Sequence, residues 1–110
     1  MRGQIWLIDL EPVVGHEQGR KRPALIISND GYNYGPADLV TVLPITSRDK
    51  RIELHFRVEP PEGGLGDVSY IMCDQMRTVS KDRLIKRIGS VGCDVMVEVG
   101  CLIKVHLDLI

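Results

Sequence analysis

The sequence predicts a mostly-β (α+β) domain in which about five or six short strands form a small, partly open barrel. Three observations support this prediction. Apolar runs of strand length recur along the chain, glycines, prolines and charged turns separate them, and 110 residues suit one domain with one modest core. The composition, 44% hydrophobic and 26% charged, is that of an ordinary globular protein. We therefore expect a single domain over residues 1–110.

Three strands are predicted in the first half of the chain, at residues 4–10, 23–29 and 39–46. The second and third are nearly continuous apolar runs, which are typical of buried strands. Pro23 suits a strand start, and Pro44 indicates an edge or a bulge near the end of its strand. The connections are expected to be a long polar loop, a turn or short helix, and a charged turn, over residues 11–22, 30–38 and 47–51.

Three further strands are predicted at residues 51–58, 67–75 and 83–91. In the first of these, apolar residues alternate with Glu53, His55 and Arg57, so we expect those three side chains to face solvent. The GGLG sequence at 63–66 lacks the strand and helix context of a nucleotide-binding fingerprint, which predicts a flexible loop. Residues 76–83 are expected to form a turn or a single helical turn.

The last segment, residues 92–110, is compatible with two predictions. On a helical wheel, Met96, Val99, Ile103 and Leu107 fall on one face. From Ile103 onward, however, apolar and polar residues also alternate with the period of a strand, and the valine content favours a strand. The local pattern does not decide between helix and strand.

Composition also bounds the function. The net charge of -1, from 14 basic and 15 acidic residues, argues against a bulk positive field, although basic side chains cluster at 20–22 and 77–87. Three cysteines without a CxxC pair predict three buried thiols rather than a disulfide framework or a zinc site. No metal-ligand cluster and no cofactor fingerprint occurs in the sequence, so we expect no metal and no cofactor.

The chain shows neither an apolar run long enough to span a membrane nor the apolar core of a signal peptide near its start. We therefore expect a soluble, cytoplasmic protein with no membrane partner.

Polar residues concentrate at strand ends and loops, in GHEQGRKRP (15–23), PITS (44–47) and CDQMRT (73–78). Each group also has an ordinary structural explanation. Thr46 and Ser47 could bond turn amides, Asp74 could pair with Arg77, and Glu17 could pair with Lys21.

These segments resemble the MazF/PemK (Kid)-type toxins of bacterial toxin–antitoxin systems. RGQIWLIDLEPVVGHEQGRKRPALIISND looks like the N-terminal signature of that family, and VLPITS and CDQMRTVSKDRL follow in the same order and spacing. The resemblance covers essentially the whole chain. It implies an SH3-like, CcdB/MazF-type β-barrel with short helices and a C-terminal helix, and so favours the helix for the last segment.

The resemblance further implies a metal-independent endoribonuclease, or mRNA interferase, that cuts single-stranded RNA at short sequences. Its members are homodimers inhibited by a cognate, MazE-like antitoxin, and the toxin–antitoxin complex binds its operator DNA through the antitoxin. Two alternatives stay open at this point. One is a gyrase-inhibiting toxin of the CcdB kind, and the other is a catalytically inactive module that binds RNA or antitoxin.

The family's catalytic residues transfer by motif. The arginine of KRP is Arg22 and the threonine of PITS is Thr46; the PemK-like branch adds the histidine of GHEQ, His16, and the aspartate of CDQ, Asp74. Residues expected to bind RNA or to support the catalytic group are Glu17, Gln18, Arg20, Lys21, Ser47, Gln75, Arg77 and Thr78.

The sequence departs from the family pattern at two positions. Met72 stands where the PemK-like branch has a further catalytic arginine. Gly92 stands where a Ser or Asp cap is expected at the start of the last helix, so we expect Asp94 to cap a shortened helix.

RNA carries its own nucleophile, the 2′-hydroxyl, so the enzyme has to supply a proton acceptor, a proton donor and positive charge. Arg22 suits the charge because its planar fork matches phosphate. We expect Thr46 to donate a hydrogen bond to a non-bridging oxygen, and His16 or Asp74 to accept the proton.

Overall fold

The computed structural model describes residues 1–11, 15 and 20–109. Within them the chain forms seven strands: β1 (Gln4–Asp9), β2 (Lys21–Ile26), β3 (Leu39–Thr46), β4 (His55–Val58), β5 (Ser69–Met72), β6 (Arg77–Ser80) and β7 (Leu84–Ser90). A short helix α1 (Asp30–Asn33) follows β2, and a longer helix α2 (Cys93–His106) follows β7. Two 3₁₀ turns lie at Glu62–Gly64 and Lys81–Arg83.

All strand pairs are antiparallel, and the strand order is β4–β5–β3–β2–β1–β7 with β6 also on β3. The described pairings leave β4 and β7 at the two ends of the path, so the sheet is not closed. This confirms the predicted mostly-β class with a C-terminal helix, and the partly open form of the predicted barrel is an open antiparallel sheet.

Apolar side chains are buried on both faces of the sheet, which explains the continuous apolar runs of β2 and β3. One core contains Leu25 and Leu43 and is covered by Val95 and Val99 of α2. The other core, around Ala24, Ile26, Val40, Val42 and Val79, lies on the opposite side of the same strands.

The strand β6 was not predicted, because residues 76–83 were expected to form a turn. Within Arg77–Ser80 only Val79 is buried, so the segment carries too little apolar periodicity to indicate a strand. Its pairing depends on β3, where Thr41 lies opposite Thr78 and the two hydroxyl oxygens are 2.8 Å apart.

One further expectation about the strands was wrong. The fourth strand begins at His55 rather than at residue 51, and His55 is buried rather than solvent-facing. Of the two alternatives for Pro44, an edge or a bulge, the edge is excluded because β3 is flanked on both sides. Pro44 lies where the partner of β3 changes from β6, which pairs through Val42, to β5, which pairs from Ile45 onward.

Residues 93–106 are helical, as the resemblance implied. Val95 and Val99, four residues apart, bury one stripe of α2 against the sheet, and this tertiary contact outweighs the local strand-like alternation. The expected cap was wrong: Gly92 is the N-cap and no side chain caps the helix, so Asp94 only adds an acidic residue to the first turn. The Gly92 N–H donates to Glu62 Oε2 at 2.7 Å instead. Among the described residues, no helix is both long and apolar enough to cross a membrane.

The expectation of three buried thiols was wrong for two of them. Cys73 is buried, whereas Cys93 and Cys101 lie on the exposed side of α2. Burial, together with the nearby charge of Asp74, raises the pKa of the Cys73 thiol to about 12.

We expect the three thiols to separate in a labelling experiment on the folded protein at pH 8. Cys93 and Cys101 should react with Ellman's reagent well before Cys73, because they lie on the surface of the chain, whereas Cys73 is buried in its core. Cys73 should react only after denaturation, because its raised pKa suppresses the thiolate and burial blocks access. Rapid reaction of three thiols in the native protein would contradict this assignment, and a Cys73→Ala variant identifies the slow group.

Candidate active site

The register between β2 and β3 brings two of the predicted catalytic residues together. Ala24 pairs with Pro44, so the positions two residues further along in each direction, Arg22 and Thr46, lie opposite each other at the ends of the two strands. Cross-strand neighbours share one face of a sheet. Arg22 is half-buried, and Thr46 is only 5% exposed.

Arg22 and Thr46 line a cleft of about 230 Å³. The lining comes from two parts of the chain, which we call its two walls: the ends of β2 and β3, and the segment that leads into β5. The lining residues are Arg22, Pro23, Ile45, Thr46, Ser47, Leu65, Gly66, Asp67 and Ser69. The cleft therefore combines a permanent cation, hydroxyl groups and a carboxylic acid residue over an apolar floor.

The Thr46 hydroxyl is oriented by the turn that follows β3, because the backbone N–H of Arg48 donates to Thr46 Oγ1 at 3.2 Å. The ordinary structural explanation for Thr46, a hydrogen bond from a turn amide, is thus present. It does not conflict with the catalytic prediction, since a hydroxyl that accepts one hydrogen bond keeps its proton for donation.

The second wall of the cleft is held by close backbone packing. Gly63 and Gly64 both have positive φ, and a Cβ on Gly64 would lie 2.4 Å from the carbonyl oxygen of Ile88. A Cβ on Gly89 would likewise lie 2.4 Å from the carbonyl oxygen of Gly63. The expected flexible loop at 63–66 is therefore packed against β7, and it seats Leu65 in the core.

Sequence reasoning missed this wall, including Asp67 and Ser69. The signal that could have found it is the Gly63–Gly64 pair, because adjacent glycines mark close backbone approach as well as flexibility.

Asp74 does not line the cleft. Its Oδ1 lies 2.9 Å from His55 Nε2, and the two side chains are 24% and 2% exposed. His55 Nδ1 is also buried, and it has no hydrogen-bond partner among the described residues. The suggested pairing of Asp74 with Arg77 is not what the structure shows, since Asp74 bonds to a histidine that sequence reasoning had placed in solvent.

Arg77 instead reaches the end of β1. Its Nη1 donates to the carbonyl oxygen of Leu10 at 3.0 Å, and Arg83 Nη1 donates to the carbonyl oxygens of Asp9, at 3.2 Å, and Glu11. On the other side of the connection, the Arg20 N–H donates to Glu11 Oε1 at 2.7 Å. These bonds fix both ends of the segment between β1 and β2, directly beside Arg22.

The remaining predicted residues are dispersed. Lys21 and Ser47 are exposed beside Arg22 and Thr46, and Thr78 is exposed on β6. Gln75 lies in the turn after β5, where its N–H donates to the carbonyl oxygen of Met72. His16, Glu17 and Gln18 lie outside the described residues. Across residues 1–11, 15 and 20–109, no group of three or more His, Cys, Asp or Glu side chains is arranged to hold a metal ion.

The fold is that of the MazF structures. The crystal structure of MazF from Deinococcus radiodurans matches with a TM-score of 0.85 and 29% identity, over 96% of this chain and 94% of that one. A MazE–MazF complex from the same organism matches with a TM-score of 0.80 and 28% identity, over 99% and 96%. These neighbours define the class of protein: a small, mostly-β domain with the fold of the MazF toxins.

The chain belongs to the PemK-like, MazF-like toxins of type II toxin–antitoxin systems, whose family model matches residues 1–107. Among curated relatives, endoribonuclease EndoA of Bacillus subtilis is 33% identical over 110 residues, which cover 99% of this chain and 95% of EndoA.

We expect Asp74→Ala to destabilise the fold by about 1–3 kcal/mol, because it leaves the buried Nε2 of His55 without its partner. Asp74→Asn should cost less, since an amide oxygen still accepts from an Nε2–H. Urea unfolding measures both variants. Equal stability of the Ala variant and the wild type would show that the His55–Asp74 bond does not support the fold.

Proposed function

We propose that this chain is the toxin of a type II toxin–antitoxin system and a sequence-specific, metal-independent endoribonuclease that cleaves single-stranded RNA. One observation carries the proposal: Arg22 and Thr46, distant in sequence, lie at neighbouring ends of the paired strands β2 and β3 and line one cleft. The name of its relative EndoA, an endoribonuclease, supports the same reaction class.

In the proposed reaction the 2′-oxygen attacks the adjacent phosphorus and the 5′-oxygen leaves. The products are a 2′,3′-cyclic phosphate and a 5′-hydroxyl. Arg22 neutralises the charge that grows on the non-bridging oxygens, because its guanidinium is always protonated and matches phosphate with two parallel N–H donors. Thr46 donates a hydrogen bond from its hydroxyl group to one of the same oxygens.

Of the two predicted proton acceptors, the structure describes Asp74 alone. Asp74 lies outside the cleft and bonds to His55, so we assign it the role of holding β4 to the turn after β5. His16 stays a prediction.

Exposed residues that adjoin the cleft suit the RNA backbone and its bases. Arg20 and Lys21 precede Arg22 at the entry to β2, and Ser47 follows Thr46. We propose that these residues bind phosphates and that Gln18 and Gln75 read bases, since few aromatic side chains are present for stacking.

The chemistry of the products tests the reaction. We expect purified protein to cut a long single-stranded RNA in the presence of EDTA and to leave a cyclic phosphate and a 5′-hydroxyl, which mass spectrometry identifies. A 2′-O-methyl group at the cut site should abolish cleavage, because it removes the nucleophile. Cleavage of the blocked strand would exclude this mechanism, and intact RNA in every condition would favour the inactive binding module or the gyrase-inhibiting toxin.

Variants test the cleft. Arg22→Ala and Thr46→Ala should lower kcat/KM by about 10²–10³-fold, the usual cost of losing one donor to a transition-state oxyanion. Arg22→Lys should also lower kcat/KM, since an ammonium group cannot replace the two parallel N–H donors of the guanidinium. Single-turnover cleavage measures these losses, with Thr41→Ala, which lies on β3 outside the cleft, as the matched control for threonine. Wild-type rates in Arg22→Ala would remove Arg22 from the reaction.

The outer surface of α2 suggests how the toxin assembles. Val97 and Val105 are 63% and 60% exposed, and Leu107 and Leu109 continue the patch beyond the helix. We propose that a second copy of the chain covers this surface. A MazE-like antitoxin competes with RNA for the basic residues around Arg22. The toxin–antitoxin complex binds operator DNA through the antitoxin. The MazE–MazF complex of Deinococcus radiodurans supports such a partner. We place this assembly in the cytoplasm.

Sedimentation at micromolar concentration should give twice the mass of one chain, and Val97→Asp with Val105→Asp should give a monomer. An antitoxin peptide should release bound RNA, and its affinity should fall as salt rises, because an acidic peptide would contact the basic residues around Arg22. A wild-type monomer would contradict the dimer, and a peptide that binds without releasing RNA would contradict the shared surface.

A further inference from the structure

We propose that Asp67 is the group that accepts the 2′-hydroxyl proton in the cleft, an inference that rests on the proposed cleavage of RNA. Asp67 lies in the segment between the 3₁₀ turn at Glu62–Gly64 and β5, and it lines the cleft together with Arg22 and Thr46.

The chemistry of the cleft singles out this residue. The polar side chains that line it in the described part of the chain are Arg22, Thr46, Ser47, Asp67 and Ser69. An arginine has no acceptor atom, and a neutral serine or threonine hydroxyl is far too weak a base to hold a second proton. A carboxylate accepts a proton directly, so among these residues Asp67 alone can act as a general base.

The backbone of Asp67 is held on both sides, as a general base requires. Before it, Leu65 is buried in the core, and Gly63 and Gly64 pack against the backbone of β7. After it, Ser69 is buried in β5, and the Ser69 hydroxyl donates to the carbonyl oxygen of Asp67 at 2.9 Å. This anchoring keeps residue 67 at a fixed place relative to the ends of β2 and β3.

The negative charge of Asp67 also favours a position next to the ribose hydroxyl of the substrate rather than next to its phosphate. Arg22 attracts the non-bridging oxygens, whereas a carboxylate repels them. A substrate bound between the two walls therefore turns its phosphate towards Arg22 and Thr46, and this leaves the 2′-hydroxyl to face Asp67.

The step balances as follows. The Asp67 carboxylate takes the proton of the 2′-hydroxyl as the 2′-oxygen forms a bond to phosphorus. The bond from phosphorus to the 5′-oxygen breaks, and the 5′-oxygen, hydrogen-bonded to Arg22, takes a proton from water. Asp67 returns its proton to solvent before the next turnover.

Four proteins test the proposal on one RNA that the wild type cuts: the wild type, Asp67→Asn, Asp67→Glu and, as a matched control, the exposed Asp82→Asn. We expect Asp67→Asn to lose about 10²–10⁴-fold in kcat, the usual contribution of a general base. It should bind an uncleavable 2′-deoxy strand at least as tightly as the wild type, because the substitution removes a negative charge from the cleft, and fluorescence anisotropy measures this affinity. Asp67→Glu should recover part of the rate, and Asp82→Asn should match the wild type.

The pH profile separates a proton acceptor from a residue that merely supports the fold. The rate of the wild type should fall in acid as the carboxylate is protonated, and this limb should vanish in Asp67→Asn. A limb that survives in Asp67→Asn but disappears in His16→Ala would overturn the proposal, because the base would then be His16.

A substrate with sulfur in place of the bridging 5′-oxygen gives a second criterion, since a thiolate leaves without a proton. Asp67→Asn should stay slow on this substrate if Asp67 is the base. If Asp67→Asn cuts this substrate at the wild-type rate, Asp67 is the proton donor to the leaving group. If Asp67→Asn cuts ordinary RNA at the wild-type rate but at a different sequence, Asp67 is a specificity residue. Both outcomes overturn the proposal. A wild type that cuts no RNA would contradict the proposed function itself, whereas an Asp67→Asn variant that cuts as fast as the wild type would contradict only the assignment of Asp67.

Discussion

The antiparallel pairing of β3 is the constraint on which the rest of the structure depends. This strand pairs with β2 along one edge and with β6 and then β5 along the other. A slip of one residue would move Thr46 to the opposite face of the sheet and away from Arg22. The slip is opposed on both faces, because Val42 and Leu43 are fully buried in two different cores. The same burial that stabilises the fold therefore sets the geometry of the candidate active site.

How far the fold could be predicted from the sequence follows from how local each signal is. The cores of β1, β2 and β3 are visible as apolar runs, since burial on two faces leaves few polar residues within a strand. The strand β6 has one buried residue and exists through its pairing with β3, so no window of its own sequence indicates it. His55 fits the alternation of an exposed strand, yet it is buried because Asp74, distant in sequence, bonds its Nε2. The tail is a helix for the same kind of reason, since the two valines that decide it contact the sheet.

The candidate site also has one part that the sequence indicates locally and one part that depends on contacts between distant residues. Arg22 and Thr46 could be named from two short motifs, and the register explains why those motifs belong together. The second wall of the cleft could not be named, because its position depends on the contact of Gly63 and Gly64 with Gly89, which lies on a strand far along the chain. A glycine pair looks the same in sequence whether it bends freely or packs closely. Only the neighbouring strand distinguishes the two cases.

The composition of the cleft separates cleavage from simple binding of RNA. A site that only holds a phosphodiester gains affinity from each cation and loses it with each carboxylate, because the backbone of the nucleic acid is anionic. We therefore expect Asp67 to weaken ground-state binding of RNA in the cleft that it lines with Arg22 and Thr46. Such a residue is useful where its interaction with the substrate grows during the reaction, as it does when a 2′-hydroxyl loses its proton. An acid and an arginine that line one cleft, with the acid on a segment fixed by glycine packing, therefore fit a catalyst better than a binding module.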